Sequence, residues 1–368
     1  MKNPISYSLL VAITLFCSCS KNSPEQAVQP DPPPPIEKPV DHSPDIYAAG
    51  TIYKTNAIAA YWKNDSLVEL TKSPLTAEAT GIAVLGKDIY VCGAYDNGAG
   101  FQACYWKNGQ LTDLSHGYNF EVAKAIAIKG QDIYIAGYGL NANNHRVAEI
   151  WKNGIRTQIS PDSCWVDVNS MYISGNDVYV VGIQSTPSNT TNVLTVWKNG
   201  VAFPITDGTK ETRASDIFVS GSDVYISGQE YIPSAGVATV IAKYWKNGQS
   251  FVLSDSAKTT YTSSVMVSGA DVYVTGYESP GGLSDATLYK VGKFWKNGIL
   301  QDLPNGTASS RVVQSAVYNS DFYLAATKAD SVNGKTSAWF FKNSTKTFFT
   351  DGTNSSGIVS RFILVPKS

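Results

Sequence analysis

A seven-bladed all-β propeller, with its ring closed by a C-terminal strand that completes the first blade, is the fold predicted for this 368-residue sequence. Three observations carry that reading. An Asp-[Ile/Val/Phe]-Tyr triplet begins at Asp45, Asp88, Asp132, Asp177, Asp223, Asp271 and Asp321. Each triplet is answered by an aromatic-Lys-Asn turn, at Trp62, Trp106, Trp151, Trp197, Trp245, Trp295 and Phe341. A period in the forties built from short strand-like segments gives one four-stranded blade per repeat. Finally, residues 360–365 (SRFILV) are similar to the inner-strand segments 215–219 and 263–267, while Asp45 begins at a second strand. The chain's end therefore supplies the strand its beginning lacks, and no sheet edge is left open there.

Each element of a blade follows from local chemistry. In the second blade, residues 81–85 read as the inner strand and Gly86-Lys87-Asp88 as a tight turn. Residues 89–93 form the second strand, 94–100 a looser connection, and 102–107 the third strand. Asn108-Gly109 suits a type I′ hairpin, whose central positions need positive φ, and residues 110–114 form the outer strand. Asn153-Gly154, Asn199-Gly200, Asn247-Gly248 and Asn297-Gly298 repeat that turn, whereas Asn64-Asp65 and Asn343-Ser344 depart from it and predict looser turns. The recurrent aromatics are read as contacts between blades, because their apolar area is the largest stabilising contribution available. The recurrent Asp is read as a turn residue that accepts backbone N–H bonds.

The chain begins with Lys2 and an apolar run, residues 9–16, too short to span a bilayer. The following Phe16-Cys17-Ser18-Cys19 resembles a bacterial lipobox, with Ser18 as the small residue before a lipidated Cys19 and Phe16 departing from the usual Leu. An ordinary secretory signal cut nearby is the alternative. The domain reading is a signal peptide over 1–18, a lipid anchor and Pro-rich tether over 19–44 (with Pro32-Pro33-Pro34-Pro35), and the propeller over 45–368. Such a tether favours extended polyproline II and builds no core.

Composition excludes several functions. Lys plus Arg total 29 against 30 for Asp plus Glu, so no basic field exists to attract nucleic acid. The only histidines are His42, His116 and His145, which is thin material for a Ser-His-Asp triad or a histidine zinc site. No HExxH, GxSxG or calcium-loop pattern occurs, so no metal or cofactor is expected. Gly334-Lys335-Thr336 matches the end of a phosphate-binding loop, but Ala329 stands in place of its first Gly. Cys92 and Cys104 fall on neighbouring strands and are candidates to pair, which would leave Cys164 free.

Spacing separates the two faces of the ring. Each aromatic is followed by the next Asp after a constant 26 residues, whereas Asp to its own aromatic runs 17, 18, 19, 20, 22, 24 and 20. Length variation is thus confined to the connection between second and third strands. That connection shares a face with the blade-joining loops, opposite both tight turns. Loops of free length on a rigid ring commonly carry recognition, and neutral drift is the competing reading. Candidate ligand-binding residues on this face are Tyr95, Tyr138, Tyr231, Tyr261, Tyr277, Trp165, Asp167, Arg213 and Arg311. Trp165 stands out because it alone lies far from the repeat's aromatic position. Ten residues before successive repeat Asp residues stand Glu78, Val122, Asp167, Arg213, Tyr261 and Arg311, a ring of mixed charge expected around the channel mouth. Should the protein be catalytic, Glu78, Glu121 and Asp167 are the carboxylates that would have to converge.

The Asp-Val-Tyr and Trp-Lys-Asn-Gly repeat, with the lipobox, resembles a group of propeller lipoproteins from Bacteroidota-type bacteria over nearly the whole of residues 45–365. That resemblance implies a lipid-anchored protein of the bacterial cell envelope, at the outer membrane, and implies no activity. The expected role is a non-catalytic binding module for a glycan or an envelope protein. An envelope polysaccharide hydrolase or lyase, and a structural scaffold, are the alternatives.

Overall fold

The computed structural model describes residues 43–117, 120–186, 189–233, 239–280, 290–303, 310–329, 335–343, 345–349 and 356–367. The signal segment, Cys19, most of the tether and Tyr118 lie outside them. The described residues form 28 strands in seven antiparallel four-stranded sheets. Six blades are consecutive meanders. In the first, Asp45–Tyr53, Ala57–Lys63 and Ser66–Glu69 are joined by Ser356–Val365 as the innermost strand. Its register, from Asp45↔Val365 to Tyr53↔Ser356, closes the ring as the sequence predicts.

The repeated motif is a side-chain clasp at the tight-turn end of every blade. In blade two, Asn108 adopts φ 51° and its Oδ1 accepts the Ile89 N–H at 2.9 Å. Its Nδ2 donates to Asp88 Oδ1 at 2.7 Å, Lys107 Nζ lies 2.8 Å from Asp88 Oδ2, and Lys107 also caps the Tyr90 ring at 5.3 Å. The same Asp, Tyr, Lys and Asn meet in the other blades, down to Asp321, Tyr323, Lys342 and Asn343 in the last. This corrects the role expected of the Asp: the Asn side chain takes the backbone N–H, and the Asp holds the Asn and the Lys. The Asn64-Asp65 turn is also no looser than the others. Asn64 keeps φ 52°, and the hairpin closes on Lys63↔Ser66 just as the Asn108-Gly109 turn closes on Lys107↔Gln110. Asn343 keeps φ 52° too, while Ser344 lies outside the described residues.

The core sits between blades, where the recurrent aromatics were expected. Trp62 is buried among blade-one residues and Tyr323, Ala325 and Phe340 of blade seven. Trp106 joins blade two to Tyr47 and Ala49 of blade one, and Trp151 joins blade three to Cys92 and Leu114 of blade two. Burial of each such ring contributes on the order of 3 kcal/mol. Among the described residues the cysteines, Cys92, Cys104 and Cys164, are free and buried. Gly93 pairs with Cys104, so Cys92, one residue away, projects from the opposite face of the sheet. Cys92 thus belongs to the core between blades two and three and Cys104 to that between blades one and two, which is why they do not pair.

Every inner strand carries a β-bulge at the same height. The skipped residues are Thr80, Lys124, Asn169, Ser215, Ser263, Val313 and Ser360, and all seven line the central channel. In six blades a glycine faces the strand just before the bulge. A Cβ on Gly93 would overlap the carbonyl oxygen of Glu78, and one on Gly137 that of Val122. Bulges bend a strand and sharpen its twist, and here they carry pairing on toward the loop face.

Candidate functional site

The channel encloses about 1120 Å³. Toward the loop face its lining includes Glu78, Lys124, Lys290 and Arg311, and toward the tight turns Ile82, Ile126 and Val267. At the level of the bulges it is crossed by an ion pair. Arg361 of blade one reaches Asp216 of blade five, Nη1 to Oδ1 at 2.8 Å. Asp216 is 1% exposed and also accepts from Ser170 Oγ at 2.6 Å and from the Val265 N–H at 3.3 Å. One carboxylate therefore ties four blades together across the channel.

Most candidate side chains stand on strand ends rather than on loops, because pairing continues beyond the bulge. Glu78 pairs with Ala94, Asp167 with Ile183, Arg213 with Gln229, Tyr261 with Tyr277 and Arg311 with Thr327. The expected positions thus form one equivalent rung around the propeller, but of the six only Glu78 and Arg311 line the channel. The rung's seventh member is Ile358, whose carbonyl abuts Gly50 as that of Glu78 abuts Gly93.

Two clusters emerge on this face. In the first, Arg146 Nη1 lies 2.6 Å from Asp167 Oδ1 and its guanidinium sits 5.3 Å from the ring of Tyr138 and 5.7 Å from that of Phe120. Trp165, 45% exposed, adjoins His145 at 5.7 Å. Tyr138 is only 8% exposed, so it supports the cluster from below. In the second, Arg213 lies over Tyr231 at 5.2 Å, Tyr261 stacks on Tyr277 at 5.1 Å, and Arg311 lies over Tyr277 at 5.1 Å. Burial, then the neighbouring Tyr231 and Tyr277, pushes the Tyr261 phenol up to about 12. Tyr95 joins neither cluster: it packs in the core between blades one and two, and burial followed by Asp113 pushes it up to about 12.

The three candidate acids have different settings. Glu78 is exposed at the channel mouth, and Asp167 is paired with Arg146. Glu121 is fully buried beneath the loop between blades two and three, where its Oε2 accepts the His116 N–H at 2.9 Å. Beside it the equally buried Glu149 binds Arg156 through Nε at 2.8 Å and through Nη2. Burial above all, with Glu149 adding repulsion, raises Glu121 from an ordinary 4.5 to about 7. Because the raised value belongs to the folded state, its contribution to stability is fully present below about pH 4.5 and is lost as pH rises through 7. Glu121→Gln keeps an acceptor for the His116 N–H and cannot ionise. It should raise stability at pH 8 by about 2–3 kcal/mol relative to the parent and change little at pH 4, as read by urea unfolding at the two pH values.

Sequence reasoning found Trp165 and the five residues of the second cluster. It missed Lys124, Asp216 and Arg361, which carry no repeat signature. Among the described residues no three His, Cys, Asp or Glu side chains gather as a metal site would need.

No protein-family model and no curated protein matches this sequence. Among solved structures, a puromycin-hydrolyzing peptidase from Mycobacterium tuberculosis is similar at TM-score 0.53 and 9% identity, over 80% of this chain and 50% of that one. An acylaminoacyl peptidase from Pyrococcus horikoshii is similar at TM-score 0.49 and 10% identity, over 84% of this chain and 51% of that one. The chain spans about half the length of these two proteins. At such identities the likeness concerns the fold alone.

Proposed function

We propose that the protein is a non-catalytic binding module of the bacterial cell envelope, lipid-anchored through Cys19, whose long-loop face takes a glycan or an envelope protein. The observation that supports this reading is the gathering of two guanidinium–aromatic clusters on one face of a rigid ring, beside an open polar channel mouth. Aromatic and Arg side chains are the usual anchors of recognition surfaces. The acids favour binding over hydrolysis or lysis. Asp167 is neutralised by Arg146, and among the described residues the one carboxyl with a strongly raised pKa, Glu121, is sealed away with Glu149 at no exposure. A general acid must reach its substrate within hydrogen-bond distance.

The test is a thermal-shift screen of the full chain in detergent micelles against polysaccharides, with supernatants assayed for released sugar. The expected result is stabilisation by one glycan class without release, reduced several-fold in affinity by Trp165→Ala or by Arg213→Gln. Sugar release that disappears with Glu78→Gln would instead make the protein an enzyme. A scaffold would use the outer strands, where Ile155, Val201 and Phe203 stand exposed, and would respond to no glycan.

A further inference from the structure

The second cluster has a chemistry more specific than general stickiness. Arg213, Tyr231, Tyr261, Tyr277 and Arg311 run as a row across blades five, six and seven. Their aromatic faces are largely spent on one another and on the guanidiniums, so the row cannot offer open rings for a neutral sugar to stack on. What it presents outward is hydrogen-bond donors. Among the described residues, none of the three phenol oxygens has a protein partner, and the Arg311 guanidinium meets no carboxylate. Arg213 has only a loose contact, Nε at 3.7 Å from Glu211, whose carboxylate is already engaged by the Asn192 backbone N–H at 2.9 Å and by the Asn192 amide. The neighbouring Glu230 and Glu278 are each neutralised by two lysines, so they do not offset the arginines. The elevated pKa of Tyr261 keeps its hydroxyl protonated and donating. Next to the row, Lys290 of blade six lines the channel mouth, where Glu78 of blade two is the acid; Lys124 of blade three lies over the Tyr138 ring at 5.9 Å and belongs with the first cluster.

A surface built of donors, with two guanidiniums three blades' width from end to end, suits repeated anionic groups. Guanidinium binds carboxylate or sulfate bidentately, and stacking on a phenol holds it oriented before the ligand arrives. Resting on the binding-module reading, we propose that this row is a subsite for the carboxylate or sulfate groups of an acidic polysaccharide.

The test is calorimetric titration of the full chain in detergent micelles with polygalacturonate, with the same polymer fully methyl-esterified, and with heparin. Affinity should fall at least tenfold on esterification, about 1.4 kcal/mol. It should fall similarly in Arg311→Gln and in Arg213→Gln, and progressively as salt shortens the screening length toward about 3 Å near 1 M. Arg311→Lys should recover part of the loss, and unchanged unfolding curves would show that the variants are folded. Polygalacturonate or heparin as the tighter ligand identifies the anion as carboxylate or sulfate. Equal affinity for the esterified polymer, indifference to both Arg→Gln changes, or no binding of either acidic polymer would overturn the subsite. Continued binding of a neutral glycan would then leave the broader binding-module reading standing, whereas no glycan binding of any kind would remove the subsite and the glycan half of that reading, leaving an envelope protein as the module's ligand.

Discussion

A chain ending at residue 355 should not fold as a cooperative unit. The strand Ser356–Val365 places Val359 and Phe362 in the core shared by blades one and seven, with Leu364 packed against it. Removing these side chains and Ile363 forfeits roughly 6–10 kcal/mol of burial, comparable with the whole stability of a typical domain. It also strips Asp45–Tyr53 of its inner partner and leaves a nine-residue strand edge open. Point changes keep the test decisive where a truncation merely aggregates. Phe362→Ala should cost about 3–5 kcal/mol. Arg361→Ala should also cost about 3–5 kcal/mol, because it strands the buried Asp216 charge, and adding Asp216→Asn should restore part of that loss. Denaturant unfolding measures all three. A truncated chain that melts like the parent would contradict closure through this strand.

The second large effect concerns the glycine that faces the bulge. In blade three, a side chain on Gly137 would drive into the Val122 carbonyl, which belongs to the paired backbone and cannot swing aside. Gly137→Val should therefore cost on the order of 3 kcal/mol or more through forced displacement of the inner strand. Blade seven carries Ala326 at the equivalent position and still has its bulge, so a β-branched residue is the sharper probe. Gly86 provides the contrast: it has φ +60° and open space around its Cβ position, so Gly86→Asn should cost well under 1 kcal/mol. Equal effects at Gly137 and Gly86 would show that conformational freedom, rather than close approach, explains the repeat glycine.

The fold was legible because one clasp is written seven times in nearly the same letters. Asp, Tyr, Lys and Asn meet at each tight-turn end, and the Asn-Gly hairpins give the turn chemistry directly. Ring closure was legible from a missing first strand and a spare last one. The bulges were harder to see, since a skipped residue can be Thr80, Lys124 or Val313 and has no preferred type. Their one sequence trace is the glycine five residues after the repeat Asp, at Gly50, Gly93, Gly137, Gly182, Gly228 and Gly276. Because pairing runs on past each bulge, residues expected on loops came to stand on strand ends.

The candidate site was legible as a face and only partly as a set. Trp165 declared itself by breaking the repeat, and the mixed-charge ring by its constant offset from the Asp. The Asp216–Arg361 pair joins residues 145 apart that hold the same repeat position, just after the skipped residue, in blades five and one, so only the closed ring brings them together. Glu121 looked like a mouth residue from its position, but the missing side chain at Gly139 makes room for it beside Glu149 in the interior. Tyr95 follows its repeat Asp by seven residues where Tyr138 and Tyr277 follow theirs by six, and that one-residue offset turns Tyr95 to the other sheet face and into the core.

The most direct test of the functional account is hydrogen–deuterium exchange on the full chain with and without the polysaccharide that binds it. Protection should concentrate at 211–213, 229–232, 259–262, 276–278 and 310–313, where the arginine–tyrosine row lies, and leave the hairpins at 64–65, 108–109 and 153–154 unchanged. Protection centred on those hairpins or on the outer strands, with the row untouched, would contradict recognition by the long-loop face.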